Sequence, residues 1–236
     1  MMSGTKNLSI GNLLLGETPL IACVLTDSDV FSLSEVPADI LELRIDMFED
    51  LSAAHLLDTF RTCRERFGKP VIATVRDLRE GGEKEVPDRT GIYRAVAPFA
   101  DAFDTELSLE FGPEVRSICR EFGKLFISSY HNFRSTPDDA FLEGLVSQAT
   151  ALGGDILKVA AMAQDREDLV RLLAFTLRHR DRGIITMSMG DSGLPSRIFS
   201  PIIGSLITYG YMNRPGAPGQ LSVAELLDIF KRLRIR

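Results

Sequence analysis

GGDILKVAAMAQDREDLVRLLAFTLRHRDRGIITMSMG, residues 153–190, holds one complete unit of a repeating plan. A short apolar run, DILKVAAM (155–162), leads into a longer amphipathic segment, DREDLVRLLAFTLRHRDRG (165–183), and then into a second run, GIITMSMG (183–190). Strand-length runs alternating with helix-length segments are the pattern of strand–helix–strand units on a parallel sheet. The helical segment starts at Asp165 with acidic neighbours and closes on His179, Arg180, Arg182 and Gly183, matching the helix dipole at both ends. One residue fits poorly: Lys158 puts an ammonium inside the first run.

The same alternation extends in both directions. Further strand-like runs are PLIACVLT (19–26), ADILELRID (38–46), PVIATVR (70–76), DAFDTELSL (101–109), KLFISSYH (124–131) and the less regular SLITYGYMN (205–213). Helix-like stretches lie between them. In one, Thr136 is the N-cap candidate with Pro137 after it, and Gly153-Gly154 ends the helix. Eight units with no linker favour one closed (β/α)8 TIM barrel, an α/β fold, as a single catalytic domain over residues 1–236, with an open doubly wound sheet as runner-up. No GxGxxG follows the first strand and no GxxxxGK[ST] occurs, which weakens nucleotide-binding versions. Two apolar pieces around Gly11-Asn12, LSI and LLL, read as a β-hairpin closing one end of the barrel.

Composition narrows the function classes. The chain has 236 residues, 44% hydrophobic and 25% charged, as expected of a globular protein with a large core. Its formal net charge of -6, without a Lys/Arg-rich block, argues against nucleic acid as a partner. Cys23, Cys63 and Cys119 are odd in number and far apart, so neither a disulfide framework nor a zinc cluster is expected, and a reducing cytoplasm is the natural location. MMSGTKNLSIGNLLLGETP lacks the build of a signal peptide, and no apolar run approaches the ~20 residues of a membrane span.

Alternation along each strand separates its two faces. Leu41, Leu43 and Ile45 oppose Ile40, Glu42, Arg44 and Asp46; Val71, Ala73 and Val75 oppose Ile72, Thr74 and Arg76. In a barrel the apolar face packs on the helices, so the mixed face points inward, with polar members toward the C-terminal mouth where such enzymes place their sites. Asp104 and Glu106, Ser129 and His131, and Lys158 continue the trend. Any single Glu-x-Arg pair reads as a structural ion pair. Glu42, Arg44, Arg76, His131 and Lys158 converging on one mouth read as a ligand site, because burying so many ionisable groups is costly.

Lys158 is open to three readings: a snorkelling strand-end lysine, a structural ion pair, or a reactive amine. An ordinary lysine, with pKa ~10.4, is protonated at neutral pH. Desolvation and cationic neighbours such as Arg44 or Arg76 are expected to free its lone pair for Schiff-base chemistry. His131, ending its strand, is the general acid/base candidate, with a core histidine as the alternative; His55 and His179 fall on helices. No second histidine or cysteine stands near His131 at ligand spacing, so no metal is expected. The loop RDLREGGEKE offers Glu80 and Glu83 beside a flexible Gly81-Gly82, and RPGAPGQLSVAE brings Gln220 to a rigid loop before a helix at Ser222. Taken alone the first reads as a solvated charged turn, and the second can equally be a plain turn.

ELRID (42–46), TVRDLREGGE (74–83), SSYHNF (128–133) followed by Thr136-Pro137, DILKVA (155–160), TMSMGDSGLPSR (186–197) and APGQ (217–220) together resemble the type I 3-dehydroquinate dehydratases of the shikimate pathway, over nearly the whole chain. The resemblance implies a (β/α)8 barrel without metal or cofactor, a homodimer, and syn dehydration of 3-dehydroquinate to 3-dehydroshikimate through an imine. It implies Lys158 as the Schiff-base lysine, His131 as proton donor and acceptor, and Glu80 as the carboxylate orienting His131. Glu42, Arg44, Arg76, Arg197, Ala217 and Gln220 match substrate-binding positions, with Arg197 holding the substrate carboxylate. Two departures stand out: Gly216 where many members carry serine, and Tyr130 where bacterial members commonly carry asparagine. The rival readings are a class I aldolase-like Schiff-base lyase, whose phosphate would sit on glycine-rich loops, and a catalytically silent metabolite-binding barrel, which has no need of a desolvated amine.

Overall fold

The structure, a computed structural model, describes residues 8–236. Residues 1–7, the start of the segment read above for a signal peptide, lie outside the described residues. All eight apolar runs form strands: β3 (Leu20–Leu25), β4 (Ile40–Arg44), β5 (Val71–Thr74), β6 (Ala102–Glu106), β7 (Leu125–Asn132), β8 (Ile156–Met162), β9 (Ile184–Met189) and β10 (Ile207–Gly210). They pair in parallel in the order β10-β3-β4-β5-β6-β7-β8-β9. The two ends of that order meet where the Leu206 N–H donates to the Ile184 carbonyl (2.8 Å) and the Thr186 N–H to Ser205 Oγ (3.0 Å), so the barrel is nearly closed. The doubly wound alternative is thereby set aside.

The parity reading holds. Leu41, Leu43, Ile45, Val71, Ala73 and Val75 belong to the core between strands and outer helices. Ile40, Ile72, Ala102, Ile127, Ile156 and Ile207 fill the barrel interior. That interior is capped from below by an antiparallel hairpin, β1 (Ser9–Ile10) and β2 (Leu13–Leu14), whose turn is at Gly11-Asn12. Ile10 and the following Leu15 pack into the interior cluster. The hairpin therefore closes the N-terminal end and leaves the C-terminal mouth open.

Helices α1 (Asp27–Ser32), α2 (Ala53–Phe67), α3 (Arg89–Val96), α4 (Gly112–Phe122), α5 (Asp139–Leu152), α6 (Arg166–His179), α7 (Ser196–Ile203) and α8 (Val223–Arg232) alternate with the barrel strands. Asp165 caps α6, and Ser222 forms a capping box with Glu225 at α8. The N-cap expected at Thr136 is instead Asp138, whose carboxylate accepts from the Phe141 N–H. Thr136 has another partner: its hydroxyl donates to the Met162 carbonyl at 2.9 Å, tying the segment to the end of β8. β10 ends on Gly210, where a Cβ would lie 3.0 Å from Val223; the close approach of α8 explains why this run looked least like a strand.

Candidate active site

All nine residues expected at the site line one pocket at the C-terminal mouth: Glu42, Arg44, Arg76, Glu80, His131, Lys158, Arg197, Ala217 and Gln220. β8 carries Lys158 inward, flanked by Ile156 and Ala160 on the same face, and leaves it 4% exposed. Its Nζ donates to Asp104 Oδ2 (2.8 Å) and Glu42 Oε2 (3.1 Å) and lies 4.2 Å from the centroid of the Tyr209 ring. The expectation of arginines against the amine needs correcting. Arg76 points into carboxylates of its own, bonding Asp104 (2.9 Å), Glu106 (2.8 Å) and Ser129 Oγ (2.8 Å), and Arg44 forks onto Asp46 at 2.9 and 2.8 Å. Burial alone would raise the Asp104 carboxyl, but Arg76 and Lys158 outweigh it and hold the group well below the usual carboxylate range.

Asp46 and Asp104 support the site without having been expected among its residues. Asp46, fully buried, accepts from Arg44 and from the backbone N–H groups of Arg76 (3.1 Å) and Glu83 (3.1 Å), joining the ends of two strands to the loop after β5. Asp104 bridges Arg76 and Lys158. The signal was available, since both fall on the inward face by alternation; what alternation cannot show is which inward residue meets which.

Glu80 closes a short 3-10 turn (Leu78–Glu80) capped by Asp77. Its Oε2 accepts the His131 backbone N–H at 2.8 Å and lies 3.1 Å from Nδ1; Ser108 donates to its other oxygen at 3.2 Å. Gly81 follows with φ +89°, and a Cβ there would sit 2.5 Å from the Phe133 ring; a Cβ on Gly82 would run into the Arg76 carbonyl. The two glycines thus serve close packing rather than flexibility. Glu83, the other loop carboxylate thought able to reach the site, is exposed and contributes only its backbone N–H. Tyr130 faces away from the pocket: it alternates with Ser129 and His131, stacks against Phe141 of α5 at 5.4 Å, and accepts a hydrogen bond from Asn132. Its replacement of asparagine therefore bears on the helix layer.

Burial, with Arg76 and Lys158 nearby, holds the His131 imidazole well below its ordinary value, so it is neutral at pH 7. The neutral ring has one N–H; bonding it to Glu80 through Nδ1 leaves the Nε2 lone pair free. Burial and the Glu106 charge push Glu80 up from 4.5 to about 7. The folded chain therefore keeps a proton on Glu80 that the unfolded chain has already released above its ordinary pKa. This contribution to stability is present in acid and is lost as pH rises from about 4.5 through about 7, by at most about 3 kcal/mol. Glu80→Gln removes it, so urea denaturation at pH 5 and pH 8 is expected to show the variant gaining on wild type as pH rises. A constant difference between the two proteins would mean that Glu80 titrates normally.

Arg197, on α7, is 1% exposed and forms no ion pair among the described residues. Among the described residues its guanidinium hydrogen-bonds only to Met187 Sδ (3.6 Å) and the Pro218 carbonyl (3.5 Å), and Nε has no partner. Burial without a counter-ion pushes it down to about 10. The other mouth cations are matched: Arg44 with Asp46, Arg76 with Asp104 and Glu106, Lys158 with Glu42 and Asp104. The loop 216–220 covers this corner. Gln220 Oε1 accepts the Gly216 N–H at 2.6 Å, and the Pro218 carbonyl accepts the Gly190 N–H at 3.2 Å. The pocket thus offers a buried amine, a neutral imidazole base, and a desolvated guanidinium lacking an anion.

The Type I 3-dehydroquinase family profile matches residues 26–236. A 3-dehydroquinate dehydratase of Thermodesulfovibrio yellowstonii is 40% identical over 227 residues, covering 95% of this chain and 100% of the relative. That of Methanocella arvoryzae is 33% identical, covering 92% and 97%. Among solved structures, the 3-dehydroquinate dehydratase of Geobacillus kaustophilus superposes with a TM-score of 0.89 at 27% identity, covering 97% and 96%. The type I 3-dehydroquinate dehydratase of Clostridium difficile, solved with covalently modified comenic acid, gives 0.88 at 29%, covering 97% and 98%. With the profile running from just past β3 to the last residue and these relatives matched over almost their full length, the chain belongs to the type I 3-dehydroquinase family.

Proposed function

We propose that this enzyme dehydrates 3-dehydroquinate to 3-dehydroshikimate through a Schiff base on Lys158, with His131 moving the protons. The reaction, a hydro-lyase step of the shikimate pathway, follows from family membership; the assignment of roles is supported by the geometry of the mouth. The observation that carries it is the unpaired, buried Arg197 in the same pocket as Lys158. A desolvated guanidinium with no anion of its own is a receptor for a carboxylate, and its planar fork suits a bidentate grip. An aldolase-like lyase acting on a sugar phosphate has less use for it, and a silent binder has no use for the lysine.

Glu42 and Asp104 hold the nitrogen in position, and neutral His131 takes a proton from it. The lone pair then attacks the C3 ketone. Protonated His131 returns a proton as the carbinolamine loses water, leaving an iminium whose nitrogen draws electrons from C2. His131 removes the C2 hydrogen, the electron pair flows to nitrogen, and the enamine expels the C1 hydroxyl with the proton His131 has just taken. Water adds to the remaining iminium and frees Lys158. Glu80 keeps Nδ1 engaged so that one imidazole nitrogen does all the transfers. Arg44, Glu42, Gln220 and the Ala217 backbone contact the ring hydroxyls, while Arg76, committed to Asp104 and Glu106, lines the pocket and fixes Asp104 beneath the lysine. We extend the same proposal to a homodimer in the cytoplasm, which the family resemblance and three buried free cysteines support.

The direct test is absorbance: on adding 3-dehydroquinate, the conjugated enone of the product is expected to appear, and its absence would sink the dehydratase reading. Arg197→Leu separates binding from stability. Losing two charge-assisted bonds is expected to lower kcat/KM by about 10²- to 10³-fold. Removing a buried charge without a partner is expected to raise Tm by a few degrees, roughly 1–2 kcal/mol. A variant that is both active and less stable would mean that Arg197 is structural.

A further inference from the structure

The aromatic ring over Lys158 carries a hydroxyl that the described residues leave without a well-aligned hydrogen bond. Tyr209 lies on β10, is 3% exposed and lines the same pocket. Its ring face covers Nζ with the centroid 4.2 Å away, a cation–π contact that stabilises a positive nitrogen there. Phenylalanine would supply that face equally well. The Tyr209 hydroxyl, by contrast, is buried and makes no well-aligned hydrogen bond among the described residues; the Glu42 carboxylate lies beside it but is engaged by Lys158. A buried hydroxyl without a well-aligned partner is destabilising, so its presence calls for a better-placed acceptor than the free protein supplies. The neighbouring cavity is where a ligand sits.

We propose that Tyr209 contacts the substrate, its hydroxyl donating a hydrogen bond to the oxygen of the carbonyl that Lys158 attacks. This rests on the Schiff-base reading above. Burial, with the charges of Glu42 and Asp104 and the Glu42 carboxylate beside the hydroxyl, holds the phenol well above its ordinary value, so it is a donor and not a base. Because the hydroxyl is on the ring stacked at Nζ, the ligand atoms in its reach are those around the carbon that bonds to Nζ. Of these, the carbonyl oxygen gains negative charge on attack. Arg76 is committed to Asp104, Glu106 and Ser129, and Arg44 to Asp46, while Gln220 is assigned above to the ring hydroxyls. His131 has to begin as a base, and Arg197 receives the carboxylate.

As the lysine lone pair forms the C–N bond, the carbonyl π pair moves onto oxygen. Tyr209 keeps its own proton throughout and stabilises that oxygen by hydrogen bonding alone. The proton that neutralises the alkoxide comes from the lysine nitrogen by way of His131. The oxygen then leaves as water, with a second proton delivered by His131. The nitrogen left behind is cationic and still lies under the Tyr209 ring.

The test is Tyr209→Phe, which removes one oxygen atom and keeps the ring. Wild type and variant are mixed with 3-dehydroquinate, quenched with borohydride at increasing times, and the adduct on Lys158 is measured by mass spectrometry; thermal unfolding is recorded without substrate. The variant is expected to reach the same final adduct yield about 100-fold more slowly, at the lower end of what loss of one oxyanion donor costs, with Tm equal to or above wild type. An unchanged rate of adduct formation overturns the proposal. So does a lowered Tm, which would show that the hydroxyl has a structural partner such as Glu42. If wild type itself forms no adduct, the Schiff-base reading fails and takes this proposal with it; a wild-type adduct formed equally fast by the variant removes Tyr209 alone.

Discussion

Lys158→Met is expected to lower kcat by about 10⁵- to 10⁶-fold, the scale on which removal of a covalent nucleophile acts. Methionine keeps the unbranched apolar stem among Ile156, Ala160 and the other interior side chains, so packing survives the change. What is lost is the electron sink, because without a cationic nitrogen at C3 the C2 hydrogen is only as acidic as in the free ketone. The variant also strips Glu42 of its cation, whereas Asp104 keeps Arg76. Leaving one partner of a buried pair destabilises by up to about 3–5 kcal/mol, and circular dichroism distinguishes a folded, inactive variant from an unfolded one. Residual turnover within tenfold of wild type in a folded variant would rule out covalent catalysis by this lysine.

His131→Ala is expected to slow turnover by about 10⁴-fold, the upper end for a general acid/base, because in the proposed cycle the same imidazole serves several transfers. Unlike the lysine variant, it retains the nucleophile. Imine formation is therefore expected to stay detectable by borohydride trapping while product forms slowly, with covalent substrate accumulating on Lys158. In wild type the acid limb of the kcat profile is expected below the ordinary histidine pKa of ~6.5, since burial, Arg76 and Lys158 all disfavour imidazolium. Full activity in the alanine variant would take histidine out of the mechanism.

Most of the barrel was legible because two periodicities coincide. The period-2 alternation in ELRID and VIATVR gave both the strands and their inward faces, and those assignments survive in the two separate apolar clusters. What alternation misses is reach. Arg76 and Lys158 both point inward, yet Asp104 stands between them, so two cations that looked like neighbours are each paired with carboxylates. The same limit hid Tyr209, whose run reads as a poor strand because Gly210 makes room for α8. The Thr136 cap failed for a related reason: a local pattern cannot foresee that Met162, 26 residues later, takes the hydroxyl. Glu80 and Glu83 are indistinguishable in REGGE, and only the turn geometry sends one carboxylate to His131 and leaves the other in solvent.

The proposed mechanism requires a carbon–nitrogen bond between Lys158 and the substrate. Wild-type protein incubated with 3-dehydroquinate, reduced with borohydride and digested is expected to yield a single modified peptide, the one containing Lys158, heavier by the reduced ligand, together with loss of activity. Turnover that continues through the borohydride treatment, or an adduct on any other lysine, would contradict it.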